Sequence, residues 1–324
     1  MSIDFNHLEL TQRKNPLVIY HANCADGFAA AWCFHNIQDT WEVTFDFHPG
    51  VYNEPPPDVE GRIVYLVDFS YPHAVVVKML ETAKAIYLID HHKTALDALL
   101  EKGGIVITQP NFIPYTDLNR SGAMLAWDFL HNTTWEGEPS AIGIDLVGEN
   151  KPEDDDYIAP PPLLLHIQDR DLWRFALPKT REINAALFSC EYDFAVWDSL
   201  MSKDAKSLEI MAMAGEAIDR SNLKNLKEIL NVCRRYVDIL DYHVPLANIP
   251  YFLASDAGNI MSKEYEGGTL FSATYYDTAD HRIFSLRSDI RGVDVADVAK
   301  QYGGGGHSRA AGFRVSRDHD LAHV

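Results

Sequence analysis

Short, almost unbroken apolar runs alternate with longer amphipathic stretches through the first half of the chain. LVIY (17–20), IVYLV (63–67) and AIYLI (85–89) are rich in β-branched and aromatic residues and too short for buried helices, so they predict strands. None of them alternates with polar residues, which predicts parallel strands covered on both faces. GGIVITQ (103–109) predicts a fourth. The Ala-rich stretch after Gly27, the segment before YLID, and SGAMLAWDFLHN (121–132) supply the helices between them. The front half therefore predicts an open α/β parallel sheet.

Residues 191–240 predict a mainly helical arm. Beyond Pro245 come shorter β-like runs, YFLASD, GTLFSATYYD and HRIFSLRSD, then a helical VDVADVAKQY and the stretch GGGGHSRAAGFRV. This is the pattern of a second, smaller α/β domain. The expected organisation is an N-terminal domain over 1–200, a helical linker over 201–244 and a C-terminal domain over 245–324. PEDDDYIAPPP (152–162) predicts an acidic surface loop.

At 324 residues, 47% hydrophobic and 23% charged, the chain has the composition of a two-domain globular protein. Its most apolar stretch, Leu163 to Ile167, is far too short to span a bilayer, and the polar start MSIDFNHLELTQRKN lacks a signal-peptide layout. Cys24, Cys33, Cys190 and Cys233 are scattered and form no CxxC pair, which favours a reducing compartment and a cytoplasmic enzyme. The net charge of −19 speaks against a protein that coats long nucleic acid through phosphates alone, so no long duplex partner is expected. Residues 251–324 carry eight Lys/Arg against ten Asp/Glu, so nearly all of the excess lies in the front part. No membrane partner is expected, and a homodimer is compatible with these features.

The polar residues that follow the apolar runs change the picture. His21 follows LVIY, Asp68 follows IVYLV, and Asp90 and His91 follow AIYLI. Open parallel sheets gather ligands beyond the carboxyl ends of their strands. Any one of these acids alone would be read as a turn former or helix cap; together they predict a metal site. Asp26, at the start of the first helix, falls on the same edge. Carboxylates mixed with imidazoles favour manganese, zinc or iron over calcium. Asp169 and Asp171 form a later acidic pair, in which Asp171 is expected to pair with Arg170 or Arg174. His35, His48 and His166 are expected at the surface or satisfied in the core. In the tail, four glycines precede His307 and Arg309, and Arg287 lies in a neighbouring run. Glycine lets a backbone approach an anion closely, so these residues predict phosphate or nucleotide contact.

HANCADG, VDFS, Asp90-His91-His92, NRSGA, QDRD and GGGGHSRAAGF occur in this order over nearly the whole chain. As a set they resemble the DHH phosphoesterase superfamily with its DHH-associated C-terminal domain, and most of all its short-chain exonucleases. The resemblance implies two divalent ions, most often manganese. Asp26, Asp68, His91 and Asp169 would hold one, and His21 and the bridging Asp68 the other. It also implies catalytic roles for Asp68, Asp90 and His92, the last touching the scissile phosphate. Arg120, Arg287, Gly305, Gly306, His307 and Arg309 would bind substrate. The chain departs from the family's Asp-x-Asp first motif, because Cys24 stands at the leading position. A thiolate there would favour zinc or iron; an inert buried thiol is the other reading of Cys24.

The function implied is a metal-dependent phosphodiesterase acting on short single-stranded oligonucleotides or dinucleotides, cyclic ones included, to give nucleoside monophosphates. A pyrophosphatase or exopolyphosphatase would use the same site, and a non-catalytic nucleotide sensor would keep the fold without turnover.

Overall fold

The computed structural model describes residues 14–100, 108–131, 158–263 and 270–324. Two compact units make up the chain: Met1–His91 with Ala98–Glu216, and His92–Asp97 with Ala217–Val324.

The first unit is built on a five-stranded sheet. β1 (Leu17–His21), β2 (Asp46–Gly50), β3 (Ile63–Val67), β4 (Ala85–Asp90) and β5 (Phe112–Thr116) lie in the order β2-β1-β3-β4-β5, every neighbour parallel. The three apolar runs occupy the centre, where Val18, Ile19, Val64, Leu66, Val67, Ile86, Leu88 and Ile89 are sealed from solvent. The edge strands are the ones that the sequence pattern does not single out. β2 (DFHPG) and β5 (FIPYT) each contain a proline, which is tolerated only where a ladder donor is dispensable. Most of the strand expected at GGIVITQ lies outside the described residues, as does most of the expected acidic loop.

Helices α1 (Ala25–Trp41), α2 (His73–Leu80), α3 (Lys93–Leu100) and α4 (Gly122–His131) follow strands, as expected of crossover connections, although Lys93–Asp97 of α3 group with the second unit. α5 (Pro162–Asp171), α6 (Thr180–Leu187) and α7 (Phe194–Met201) complete the unit. The small residues of α1 let it bury almost all of its first three turns. Phe28 then stacks on Phe194 at 4.9 Å and meets Trp197 edge-on at 4.9 Å.

α8 (Ala205–Cys233) runs for 29 residues into the second unit. The stretch expected as a linker ends in a hairpin, β6 (Arg235–Ile239) and β7 (Tyr242–Asn248), whose turn holds Leu240 at φ +52°. α9 (Ala254–Lys263), β8 (Ser272–Asp277), β9 (His281–Arg287), α10 (Val295–Lys300), β10 (Gly305–His307) and β11 (Ala310–Ser316) follow. The second sheet has the order β10-β11-β9-β8-β7-β6, antiparallel except between β7 and β8. α10 packs on one face, with Val295 and Val298 against Phe284, Leu286 and Phe313. α9 packs on the other face, over β8 and β9, and its Ala257 and Met261 share a buried cluster with Leu226 and Leu230 of α8 and Ala247 of β7. The expected arrangement of a parallel-sheet domain and a smaller α/β domain is the one observed.

Candidate metal centre and anion site

Strand register assembles the centre. Tyr20 pairs with Val67, and Val67 with Ile89, so the residues one step further along, His21, Asp68 and Asp90, form a single row across three strands. The Asp68 N–H donates to the Ile89 carbonyl at 2.9 Å and keeps that row in step. Asp68 then turns out of the sheet at φ +51°, a conformation that Asp and Asn tolerate better than most residues. Gly122, opening α4, backs directly onto it. A Cβ at position 122 would lie 2.3 Å from the Asp68 Cβ, so only glycine lets the α4 N-terminus approach.

His91 is the hub. Its ring is buried, and Nε2 lies 3.1 Å from Asp68 Oδ1, 3.6 Å from Asp171 Oδ2 and 3.9 Å from Asp26 Oδ2. His21 Nδ1 lies 3.5 Å from the other Asp68 oxygen, with the rings of Tyr52 and Phe69 beside it. Asp26 accepts from Ala123 N at 3.2 Å through Oδ1, while its buried Oδ2 accepts no hydrogen bond. Asp90 Oδ1 accepts from the His91 N–H at 2.8 Å and fixes the peptide that carries the hub.

The electrostatics are those of crowded negative charge. Burial, followed by the charges of Asp171 and Asp68, pushes the Asp26 carboxyl well above its ordinary range. Burial pulls His91 down, but the Asp68 hydrogen bond and the charges of Asp171, Asp68 and Asp26 outweigh it and raise the imidazole to about 10. Desolvation and the same three carboxylates push the Cys24 thiol well up. These groups fit a divalent cation: oxygen and imidazole donors converge, like charges need compensation, and one buried carboxylate oxygen has no donor. Asp26, His91 and Asp171 can offer ligand atoms all within 4.8 Å of one another. Cys24 joins no such group of three among the described residues. It stands at the N-cap of α1 without a side-chain capping bond.

The acidic pair on α5 divides in the opposite way from the expectation. Asp169 accepts from Ala176 N at 2.8 Å, Leu177 N at 3.0 Å and Thr180 Oγ1 at 2.6 Å, which ties down the loop after its own helix. It is Asp171 that faces His91. Arg170 lies over the Trp173 ring at 4.2 Å, and Arg174 donates to the Asn119 carbonyl at 2.7 Å. Two residues apart on a helix are about 200° apart around its axis, so only one of the pair can face the sheet. Asp171, itself exposed, lies at helical spacing from Leu164, Ile167 and Gln168 on one stripe of α5, and Gln168 accepts from Ser121 N at 3.1 Å beside Gly122. That stripe is the signal by which the sequence could have chosen between them.

Among the expected substrate residues, Arg120 is buried and its guanidinium is paired with Asp128, including a 3.0 Å bond from Nε. This is a packing role inside the first unit. His92 belongs to the second unit, where its ring stacks on His307 at 4.7 Å. There Gly306 N donates to Thr94 Oγ1 at 2.9 Å, and a Cβ on Gly305 would meet that hydroxyl at 2.6 Å. Arg287 Nη2 donates to Ser255 Oγ at 2.7 Å, and a Cβ on Gly258 would strike the arginine stem. The structure thus brings His92, Gly305, Gly306 and His307 together. Arg309 departs from expectation, because its guanidinium donates to the Gly292 and Ile290 carbonyls at 2.8 and 3.1 Å and closes a turn.

Fold and site define a parallel-sheet protein with a carboxylate–imidazole centre at its strand ends and a glycine-rich second sheet. No family model matches the chain. It is 25% identical over 332 residues to the uncharacterized protein R106 of Acanthamoeba polyphaga mimivirus, covering 93% of this chain and 67% of that one. Similar solved structures include the exonuclease RecJ bound to manganese (15% identity, TM-score 0.47, 93% of this chain and 86% of that one). Others are CDC45 from Entamoeba histolytica (9%, 0.45, 95% and 93%) and the pGpG-specific phosphodiesterase PggH from Vibrio cholerae (12%, 0.35, 96% and 96%). No helix among the described residues is long and apolar enough to cross a membrane.

Proposed function

We propose that the protein is a metal-dependent phosphodiesterase that cleaves short single-stranded oligonucleotides or dinucleotides to nucleoside monophosphates in the cytoplasm. The observation that carries this reading is the convergence of Asp68, Asp171 and Asp26 on His91 Nε2 at the ends of parallel strands. Asp26, Asp68, His91 and Asp171 would hold one divalent ion, and His21 and Asp68 a second. Oxygen and imidazole donors favour manganese, while the Cys24 thiol nearby leaves zinc or iron as the alternative. When bound, such ions lower the pKa of water and neutralise charge on a phosphoryl group. Asp90 holds the His91 peptide in place. His92, His307 and the Gly305–Gly306 backbone form the anion-binding side of the second unit, with Arg287 two strands away, on β9.

The test is product analysis of 5′-phosphorylated diadenylate incubated with the purified protein and manganese, against chelated protein. AMP released only with metal supports the reading. An intact dinucleotide alongside cleaved pyrophosphate would replace it with the pyrophosphatase reading.

The metal-free site also sets a pH dependence. The folded-state values of Asp26 and His91 lie above their ordinary values, so each contributes stability at low pH that is lost as pH rises through the folded value. For His91 that loss runs from near neutrality to about 10. Metal uptake displaces these protons and becomes more favourable as pH rises. The melting-temperature gap between manganese-loaded and chelated protein is expected to widen from about pH 6 to about pH 8. Differential scanning fluorimetry at the two pH values checks it, and a constant gap contradicts it.

A further inference from the structure

The second sheet has a face whose covering stops halfway. Side chains alternate across a strand, so Ser272, Thr274 and Tyr276 share the face that α9 touches, where Ser272 Oγ donates to the Gly258 carbonyl at 2.6 Å. The register places Arg287 opposite Ser272, Ser285 opposite Thr274, and Ile283 opposite Tyr276. On β11 the same rows continue as Ala310, Gly312 and Arg314. α9 packs over β8 and β9, and the face carries small, half-buried residues at Ser285 on β9 and Gly312 on β11.

Three features of this strip point to a ligand. Thr274 is buried, and its hydroxyl oxygen has no hydrogen-bond partner; it lies directly opposite the half-buried Ser285. Arg314 is exposed and makes no ion pair among the described residues. At the strip's far end, Tyr251 is 61% exposed, with its ring 6.1 Å from that of Tyr276 on β8 and 5.6 Å from that of Phe252, which is 66% exposed. A row of small residues alone would be featureless packing. A cation at each end of β9–β11, a polar floor and exposed rings at one end match the parts of a nucleotide: charged phosphate, polar sugar and apolar base.

We propose that this strip is a nucleobase subsite, with Tyr251 and Tyr276 receiving a base and Arg314 the 5′-phosphate of the same nucleotide. Arg287 lies four residues along β9 from Ile283, which sits opposite Tyr276. At ~3.3 Å per residue that is about 13 Å, enough for one nucleotide to reach from a phosphate at Arg287 to a base on the tyrosines. The subsite rests on the phosphodiesterase reading and sharpens it, because a polyphosphate has nothing to place on the tyrosines. It selects an oligonucleotide of two or more units.

The test compares binding, by calorimetry with manganese, of two turnover-resistant probes: a 5′-phosphorylated, phosphorothioate-linked diadenylate and the same backbone without bases. The wild-type protein is expected to prefer the diadenylate by on the order of tenfold. Tyr251→Ala should erase most of that preference, and Tyr251→Phe, which keeps the ring, should preserve it; Tyr251 is exposed enough for both variants to fold. Arg314→Ala should weaken both probes alike. A wild type that binds the two probes equally, or a Tyr251→Ala variant that keeps the preference, overturns the subsite while leaving the phosphodiesterase reading in place. A wild type that binds neither probe overturns both.

Discussion

Asp68→Asn is expected to lower manganese-dependent kcat/KM on a dinucleotide by roughly 10²- to 10⁴-fold while leaving the protein folded. Asp68 faces both histidines of the centre, with Oδ1 at 3.1 Å from His91 and Oδ2 at 3.5 Å from His21. Asparagine keeps its size and tolerates the left-handed backbone that the position requires. It removes the negative charge, and with it the group that would join two cations. The fold should survive for a second reason: removing one of several crowded carboxylates lessens the repulsion that raises Asp26. Turnover, manganese binding by calorimetry and melting temperature should be measured together. A variant that keeps a tenth or more of wild-type turnover would remove Asp68 from the centre of the account.

The two aspartates of α5 should separate cleanly. Asp169→Asn is expected to destabilise the protein by about 2–3 kcal/mol. The reason is polarity: two backbone N–H groups and a threonine hydroxyl all donate to the carboxylate, and an amide nitrogen would oppose one of those donors. Asp171→Asn, at the rim of the site, should change stability by no more than ~0.5 kcal/mol and weaken manganese binding by at least ~10-fold. Urea unfolding of the chelated variants gives the first quantity and titration of the metal the second. If Asp169→Asn lost metal and kept its stability while Asp171→Asn did the reverse, the roles given to the two aspartates would be inverted.

The strand-end row is legible in the sequence because three apolar runs stop at His21, Asp68 and Asp90, and parallel register has little freedom to separate residues that end neighbouring central strands. What escapes the pattern has other causes. β2 and β5 carry proline and solvent-facing positions at the sheet edge, so neither shows a continuous apolar run. The β6–β7 hairpin follows a 29-residue helix and reads as its continuation, although RYVDI alternates in burial. Arg120 and Arg309 lie inside suggestive motifs, but a long guanidinium is committed by whichever acceptor its fold brings near. For these two the acceptors are Asp128 and a pair of turn carbonyls, and nothing in the local sequence names either.

The second unit is not a continuous piece of polypeptide, and this governs how the protein can be taken apart. His92–Asp97 belong with Ala217–Val324, held by Lys93 to Asp294 at 2.5 Å, Thr94 to Gly306 at 2.9 Å and Asp97 to Lys300 at 3.4 Å. Proteolysis or gene dissection at α8 would leave the tail fragment without this six-residue insert, with the Gly306 amide and the Lys300 ammonium facing water. The insert is covalently next to His91, so it stays with the metal-bearing strand, and no single cut divides the chain into its two units. Circular permutation is therefore a gentler way than truncation to open this chain, since it moves the ends while keeping the insert in its socket.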